Sequence, residues 1–595
     1  MFLLHPPTTP WAVPGPYGLD LVLFTDQALA AGEVFVRTLP DNEELLTAMQ
    51  PDGQAGALWC WRAHIAWDGG NALTRYAFFA AGVHSTHWLA ADGLHEHVPP
   101  EAQHFRVHAT EQPPAWVREQ VFYQVFIDRF ARSGLHPLPP HGSTGEWGTL
   151  PRSEGASSHF YGGDLPGLTQ RLPYLQDELG VSAIYLTPIF ASRSNHRYDT
   201  IDYTLVDAHL GGNAALAELR QATQARGMRL VLDAVVNHTG AEHPWLAQRP
   251  SHYASDASGQ PLGWKGHASL PVLDFAQPAV QQAVYAAPDA VLRRWLRPPY
   301  AIDGWRLDVI HMLGEGPGAM HNARHVRAMR RAIREENEQA YVLGEHFAEA
   351  TRWLQGEQED GAMNYYGFAN PVKAWLAGLS AGTARHRLST AAFERWLGRA
   401  IATIPYANQL AQLNLLGSHD TPRLLSELAG NVGLMQVAMT LLFTRPGVPC
   451  VYYGDEIGLP GGPDPDNRRC FDWNRAHWQH GLWAHVQALA RARRDRAEWQ
   501  CGATLTLAQG EDWLAYARFT GSAATLVAVN RGAAVDVALP LHRLPLAVAP
   551  MAWRTLPFDA GSVTHRALHP QPNLGAHLHL HLHLPASASI VLMSG

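Results

Sequence analysis

The stretch Arg229-Leu230-Val231-Leu232-Asp233-Ala234-Val235-Val236-Asn237-His238 decides the fold. A short apolar run bounded by polar residues reads as a buried strand, and this one stops on Asn237 and His238. The same grammar recurs along the chain. Val121–Phe126 runs into Asp128-Arg129, and Gly304–Ile310 carries Arg306 and Asp308. Tyr341–Glu345 closes on an acid followed by His346. Gln412–Leu416 leads to Ser418-His419-Asp420, and Val448–Tyr453 to Gly454-Asp455-Glu456. Ala183–Phe190 is a further run. Helix-patterned segments lie between them, such as Ala214–Arg226, His325–Gln339 and Val432–Phe443. Apolar strands separated by helices indicate a buried parallel sheet. This number of them over the middle of the chain predicts an α/β fold with a (β/α)₈ TIM barrel rather than a doubly wound sheet, the sixth strand being expected near Ala362–Asn370. Polar residues gather at the strand C-termini, where barrel enzymes place their chemistry.

Outward from the barrel (residues 118–495) the texture changes. Residues 1–117 read as an N-terminal β-sandwich, with short strands such as Glu33–Thr38 and a linker at Glu111-Gln112-Pro113-Pro114. Its aromatics (Trp59, Trp61, Trp67, Tyr76, Phe78, Phe79 and Trp88) suit a core better than sugar platforms. A small insertion is expected over about 239–275, after the third strand, and a long loop, Pro137–Ser158, after the first. Residues 496–595 read as a C-terminal β-sandwich. Its repeat His577-Leu578-His579-Leu580-His581-Leu582-His583-Leu584 puts leucines on one face of a strand and histidines on the other. An edge strand with Leu inward is the leading reading, and adventitious transition-metal binding by the His face the other.

Composition bounds the function. With 45 basic and 53 acidic residues among 595, the formal charge is −8, so the basic footprint of a nucleic-acid binder is missing. Only Lys265 and Lys373 are lysines, and neither follows a Gly-rich phosphate loop, which excludes a P-loop enzyme. No apolar run reaches the roughly 18 residues of a membrane span, and no signal-peptide pattern opens the chain. Cys60, Cys450, Cys470 and Cys501 form no CxxC pair, which fits a cytoplasmic location.

Two strand-end carboxylates, Asp308 and Glu345, fall on adjacent strands four and five. Retaining glycoside cleavage needs such a pair about 5–5.5 Å apart. Arg306 shares a strand face with Asp308 and is expected to lower its pKa, keeping a nucleophile ionised. Glu345 follows Val342-Leu343 with no arginine near in sequence, so a raised pKa is expected, as a proton donor needs. A strand-end acid can equally be a loop cap or an ion-pair partner.

The segments Asp233–His238, Gly304-Trp305-Arg306-Leu307-Asp308, Gly344-Glu345 and Ser418-His419-Asp420 resemble, in order, the four signature regions of the α-amylase family, glycoside hydrolase family 13. Tyr161-Gly162-Gly163-Asp164, Tyr198–Tyr203 and Pro446–Glu456 extend the resemblance over about 118–495. It implies Asp308 as nucleophile, Glu345 as acid/base and Asp420 as a third carboxylate on the hydroxyls of the −1 sugar. It also implies that Arg306 orients Asp308, that His238 and His419 bind sugar hydroxyls, and that Tyr198 stacks on the ring. Asp233 and Asn237 would support that shell.

Within the family, His311-Met312 replaces the Lys-His of endo-amylases. The N-terminal domain is similar to that of cyclomaltodextrinases, neopullulanases and maltodextrin glucosidases. Gly344-Glu345-His346-Phe347, Leu270–Asp274 and Ala362-Met363-Asn364-Tyr365 resemble the last of these, implying release of glucose from short α-1,4-linked maltodextrins. The exo habit would need a site walled by the Pro137–Ser158 loop, the insertion and the N-terminal domain. Alternatives are a cyclomaltodextrinase or neopullulanase, a sucrose- or trehalose-isomerising transglycosylase, and a non-catalytic glucan-binding protein. No cofactor is required. Calcium stays open because Asn237 occupies a position that ligates it in some relatives, though no EF-hand-type loop is present. The expected partners are maltodextrins and a second copy docked through the N-terminal domain, with no nucleic acid and no membrane.

Overall fold

A computed structural model describes residues 1–594 except 31, 70–71, 83–85, 382–383, 547–551 and 557–577. Eight parallel strands form the central sheet. They are β1 (Phe122–Val125), β2 (Ala183–Leu186), β3 (Arg229–Ala234), β4 (Gly304–Leu307), β5 (Tyr341–Gly344), β6 (Gly361–Ala362), β7 (Leu413–Leu415) and β8 (Val448–Tyr452). Their order runs from β6 back through β1 and on to β8 and β7. A parallel bridge between Met363 and Leu413 joins β6 to β7 and closes the ring. The expected sixth strand is present at the start of its predicted stretch; the chain turns into a helix at Tyr365.

Strand parity explains how one barrel holds both a core and a site. Successive side chains alternate between faces. Tyr123, Val125, Ile184, Leu186, Leu230, Leu232, Trp305 and Leu307 point out and pack under the helices. Phe122, Ala183, Tyr185, Val231, Tyr341, Leu343, Leu413 and Cys450 point in and fill the lower barrel. Two residues further along the same inward rows come Asp233, Arg306 and, at the strand ends, Asp308 and Glu345. The register aligns Asp233 with Arg306 and Arg306 with Leu343 at the top of the apolar plug, so Asp308 and Glu345, each two residues on, stand one level above.

The flanking regions are β, as expected. An N-terminal pair of sheets includes the long strands Gly18–Thr25, Leu58–Ala66 and Leu73–Ala81. Trp61, Tyr76, Phe78 and Trp88 are buried there, whereas Trp59 is exposed. The C-terminal sheet is built on Ala503–Gln509, Trp513–Phe519, Ala524–Asn530 and Ala588–Ser594. These two regions share one apolar cluster. Leu4, Trp11, Val22, Phe24 and Leu58 pack with Phe519, Leu526 and Leu580, and the Trp11 and Phe519 rings meet at 5.3 Å. In the repeat, Leu580, Leu582 and Leu584 are buried and His579, His581 and His583 exposed, on a strand paired with Val535–Pro540. His577 lies outside the described residues. Among the described residues no helix is long and apolar enough to cross a membrane.

Other strand-end polar groups turn out to be fasteners. Asp128 pairs with Arg129 at 2.6 Å and accepts the N–H groups of Tyr161 and Gly162. Asp455 pairs with Arg423, and Glu456 accepts the hydroxyls of Tyr123 and Tyr174. A buried cation does similar work at the barrel's floor. Arg493 donates to the carbonyls of Arg118, Gln120, Phe443, Gly447 and Trp499, and no carboxylate is among those acceptors. Burial pushes its pKa down to about 9, so it stays charged at neutral pH. A buried carbonyl that loses its donor costs about 1–3 kcal/mol. Arg493→Met should therefore destabilise the protein by roughly 3 kcal/mol or more. The expected observation is a lower thermal midpoint with unchanged kcat for the folded fraction.

Candidate active site

The site is assembled around Arg306, which is wholly buried. Its Nη1 donates to Asp308 Oδ1 at 2.7 Å and to both oxygens of Asp233 at 2.9 Å. Its Nη2 makes an ion-pair contact of 2.8 Å with Glu345 Oε1. Asp308 and Glu345 are thus held by the two arms of one guanidinium, a separation compatible with the roughly 5 Å of a retaining pair. The other oxygen of Glu345 accepts the Val309 N–H at 2.7 Å. Val309 reaches that position with φ +36°, a strained conformation for a β-branched residue. Strain of this kind persists where the surrounding structure enforces it, typically at functional sites.

Above this layer opens a cleft of about 680 Å³. Asp308, Glu345, Asp420, Tyr198 and His238 line it. Arg306 and His419 lie beneath, fully buried. The Tyr198 hydroxyl donates to Asp233 at 2.8 Å and lies 2.7 Å from His419 Nε2, and the two rings stack at 5.4 Å. His419 Nδ1 takes the Gln124 amide at 3.0 Å. His238 Nε2 donates to the Tyr198 carbonyl at 3.1 Å, and its Nδ1 is 3.2 Å from the Asn237 amide. Burial lowers the pKa of His238 to about 4 and that of His419 further, so both are neutral at physiological pH.

Two electrostatic expectations need correction. Glu345 does have an arginine, since Arg306 reaches it from β4. The pKa of Asp308 is raised rather than lowered. Burial and the facing Glu345 carboxylate together outweigh Arg306. The reason is arithmetic: one guanidinium serves three buried carboxylates. Asp233 is likewise pushed up to about 6, chiefly by burial.

Several cleft residues escaped the sequence reading. The insertion supplies Trp264, Lys265, His267, Ser269 and Leu270. Trp264 sits on the hairpin Gly263–Trp264 with His267–Pro271 and anchors its indole N–H on Met312 Sδ at 3.1 Å. Arg468 also lines the cleft and lies between Asp464, at 3.1 Å, and Asp420, at 3.6 Å. Arg468 and Asn467 both donate to the His419 carbonyl, which fixes the turn that presents Asp420. The expected walls are only partly realised. Of the Pro137–Ser158 loop, Ser157 alone lines the cleft, and no described residue of the N-terminal domain does. That domain packs instead against the barrel's side, with Glu111 on Arg330 and the Trp116 indole on the Gln339 carbonyl. Around Asn237 a lone buried Oδ1 lacks a partner.

A closed barrel that seats two carboxylates across a cleft at its strand C-termini defines a glycoside hydrolase. Residues 124–260 and 262–522 match the model of the alpha-amylase catalytic domain, and the chain belongs to the alpha-amylase family. It is 35% identical over 435 residues to a cyclomaltodextrinase from a Bacillus species, covering 70% of this chain and 74% of that protein. It is 34% identical over 405 residues to an intracellular maltogenic amylase of Bacillus subtilis, covering 65% of this chain and 63% of that protein. A solved cyclomaltodextrinase structure superposes with a TM-score of 0.73 at 27% identity, over 100% of this chain and 99% of that one.

The shared guanidinium makes a pH prediction. An Asp308 pKa raised by burial and by the facing Glu345 carboxylate places the acid limb of activity above the ordinary carboxylate range. Glu345→Gln removes the like charge, so the limb should move to lower pH. The measurement is the pH dependence of glycosyl-enzyme formation from an activated glycosyl fluoride, which needs no proton donor. A limb that stays in place or moves upward would contradict this electrostatic account.

Proposed function

We propose that the enzyme hydrolyses α-1,4-glucosidic bonds of short maltodextrins and releases glucose. The observation that carries the reading is Arg306 holding Asp308 and Glu345 side by side at the floor of the cleft. Asp308 attacks the anomeric carbon while Glu345 protonates the departing glycosidic oxygen. A covalent glucosyl-Asp308 forms. Glu345, now ionised, deprotonates a water that displaces the aspartate with net retention. The anions Asp308 and Asp420 stabilise the positive charge that develops on the sugar ring. Neutral His238 and the Tyr198 ring, backed by His419, shape the pocket for that one sugar. The double displacement draws only on the chain's own carboxylates.

The exo habit is supported by the Asp464–Arg468–Asp420 bridge, which ties two cleft-lining carboxylates to one cation. Trp264 and Phe347 also line the cleft, and Phe347 is exposed and stacked on Tyr365 at 4.4 Å. A second reading, opening of cyclic dextrins, is favoured by the names of the similar proteins. An intracellular location suits the four free cysteines and the relative named intracellular. Pairing of two copies through the N-terminal domain is supported by the exposed neighbours Leu45 and Leu46 on its strand Leu45–Ala48, and sedimentation at graded concentration checks it.

The deciding experiment compares maltotriose, maltoheptaose, β-cyclodextrin and pullulan, with labelled reducing ends and products sized over time. Glucose as the first product from linear chains is the expected result; faster opening of β-cyclodextrin with maltose as product would overturn glucose release. Asp308→Asn should cut turnover by about 10⁴-fold or more. Its fold should not suffer. A folded-state pKa above the unfolded 3.8 means that stability falls as pH rises through that window. Removing the charge at pH 7 therefore leaves the thermal midpoint equal or higher.

A further inference from the structure

Behind Glu345 lies a buried polar pair that the reaction does not use. His346 Nε2 lies 2.9 and 3.1 Å from the two carboxylate oxygens of Glu359. Both residues are buried, and the His346 ring packs on Trp353 at 4.3 Å. Glu359 also touches the residue on the other side of the acid/base. A Cβ on Gly344 would stand 2.0 Å from Glu359 Oε2, so only glycine leaves room for that carboxylate. One side chain therefore grips both chain neighbours of Glu345. Glu359 is itself fixed, its N–H donating to the Trp353 carbonyl at 3.1 Å and its carbonyl accepting from Asn408 at 3.3 Å. His311 adds a third hold, Nδ1 lying 3.1 Å from the Glu345 carbonyl.

Burying such a pair costs desolvation, and an apolar pair of similar volume is often as stable or more so. Fold stability alone is then a weak reason for its presence beside the reacting group. We propose that Glu359, acting through His346 and Gly344, is a positioning residue that sets the end of β5 so that Glu345 meets the glycosidic oxygen. The proposal rests on Glu345 being the acid/base, and a misplacement of about 1 Å at such a group costs up to 10²-fold in rate.

The test uses the full chain with two variants, Glu359→Gln and the double change His346→Leu/Glu359→Met. The double variant leaves no unpaired buried charge and decides the matter should Glu359→Gln fail to fold. Each is assayed on maltotriose, and on α-glucosyl fluoride with azide as acceptor. Fluoride departs without a proton and azide attacks without a base, so that couple bypasses Glu345. The expected result is a fall in kcat of about 10- to 100-fold on maltotriose with little change in KM, and an unchanged fluoride–azide rate. Unchanged maltotriose turnover, or equal losses on both substrates, would overturn the proposal. Glu345→Gln runs alongside as the control: it should lose maltotriose hydrolysis and keep the fluoride–azide rate. If that control loses both, the acid/base assignment itself falls.

Discussion

One guanidinium among three carboxylates is the constraint on which the site depends. Arg306 is wholly buried and touches Asp233, Asp308 and Glu345 at once. Removed from water, that cluster carries more negative than positive charge. It can shed the excess by keeping a proton, which an acid catalyst has to do, or by facing a cation, which the transition state of glycoside cleavage provides. Both answers lie in the same geometry. The raised pKa of Asp308 is thus the ground-state cost of a site built for a positive charge that appears only during reaction. Asp233 never reaches the cleft lining, and its work is to hold Arg306, Tyr185 and Tyr198 in place.

The barrel and its central layer were legible because strand parity is a strong, local rule. An apolar run that ends on a polar residue reads the same in sequence and in space, so Asp308, Glu345 and Asp420 could be placed on one face before any coordinates. The short β6 was the hard element. Gly361 and Ala362 carry almost no pattern, and their strand is defined by pairing with β5 rather than by their own propensity. Strand-end acids also carry no mark of their duty. Asp128, Asp455 and Glu456 occupy the same kind of position as Asp308, yet Asp128 is consumed by its neighbour Arg129 and by the N–H groups of Tyr161 and Gly162, and Asp455 and Glu456 by partners from distant segments.

What sequence hid is what comes from afar. Arg306 reaching Glu345 is a cross-strand contact, invisible to a search for nearby arginines. The insertion was expected as a wall, but which of its residues face the cleft was hidden for the same reason. Trp264 belongs to an insertion whose place over the barrel is fixed by pairing with its own returning strand and by Met312. Arg468 comes from a loop after β8 and acts on Asp420, which follows β7. The N-terminal domain was expected over the cleft, yet within one chain its apolar contacts run to the C-terminal sheet through Trp11 and Phe24.

Chemistry and selectivity therefore rest on different kinds of structure. The carboxylates proposed to react, Asp308 and Glu345, stand at the ends of strands whose lower halves are packed by the apolar plug, so their positions follow from the barrel itself. Arg468 and Trp264 stand on loops that contact the barrel at a few points each. Rigid strands suit groups that need sub-ångström placement, and loops suit groups that choose among substrates. On the proposed function, linear and cyclic dextrins meet the same Asp308 and Glu345, and Arg468 and Trp264 are the groups placed to tell them apart. Barrel geometry alone accordingly fixes the reaction class far more firmly than it fixes the preferred chain.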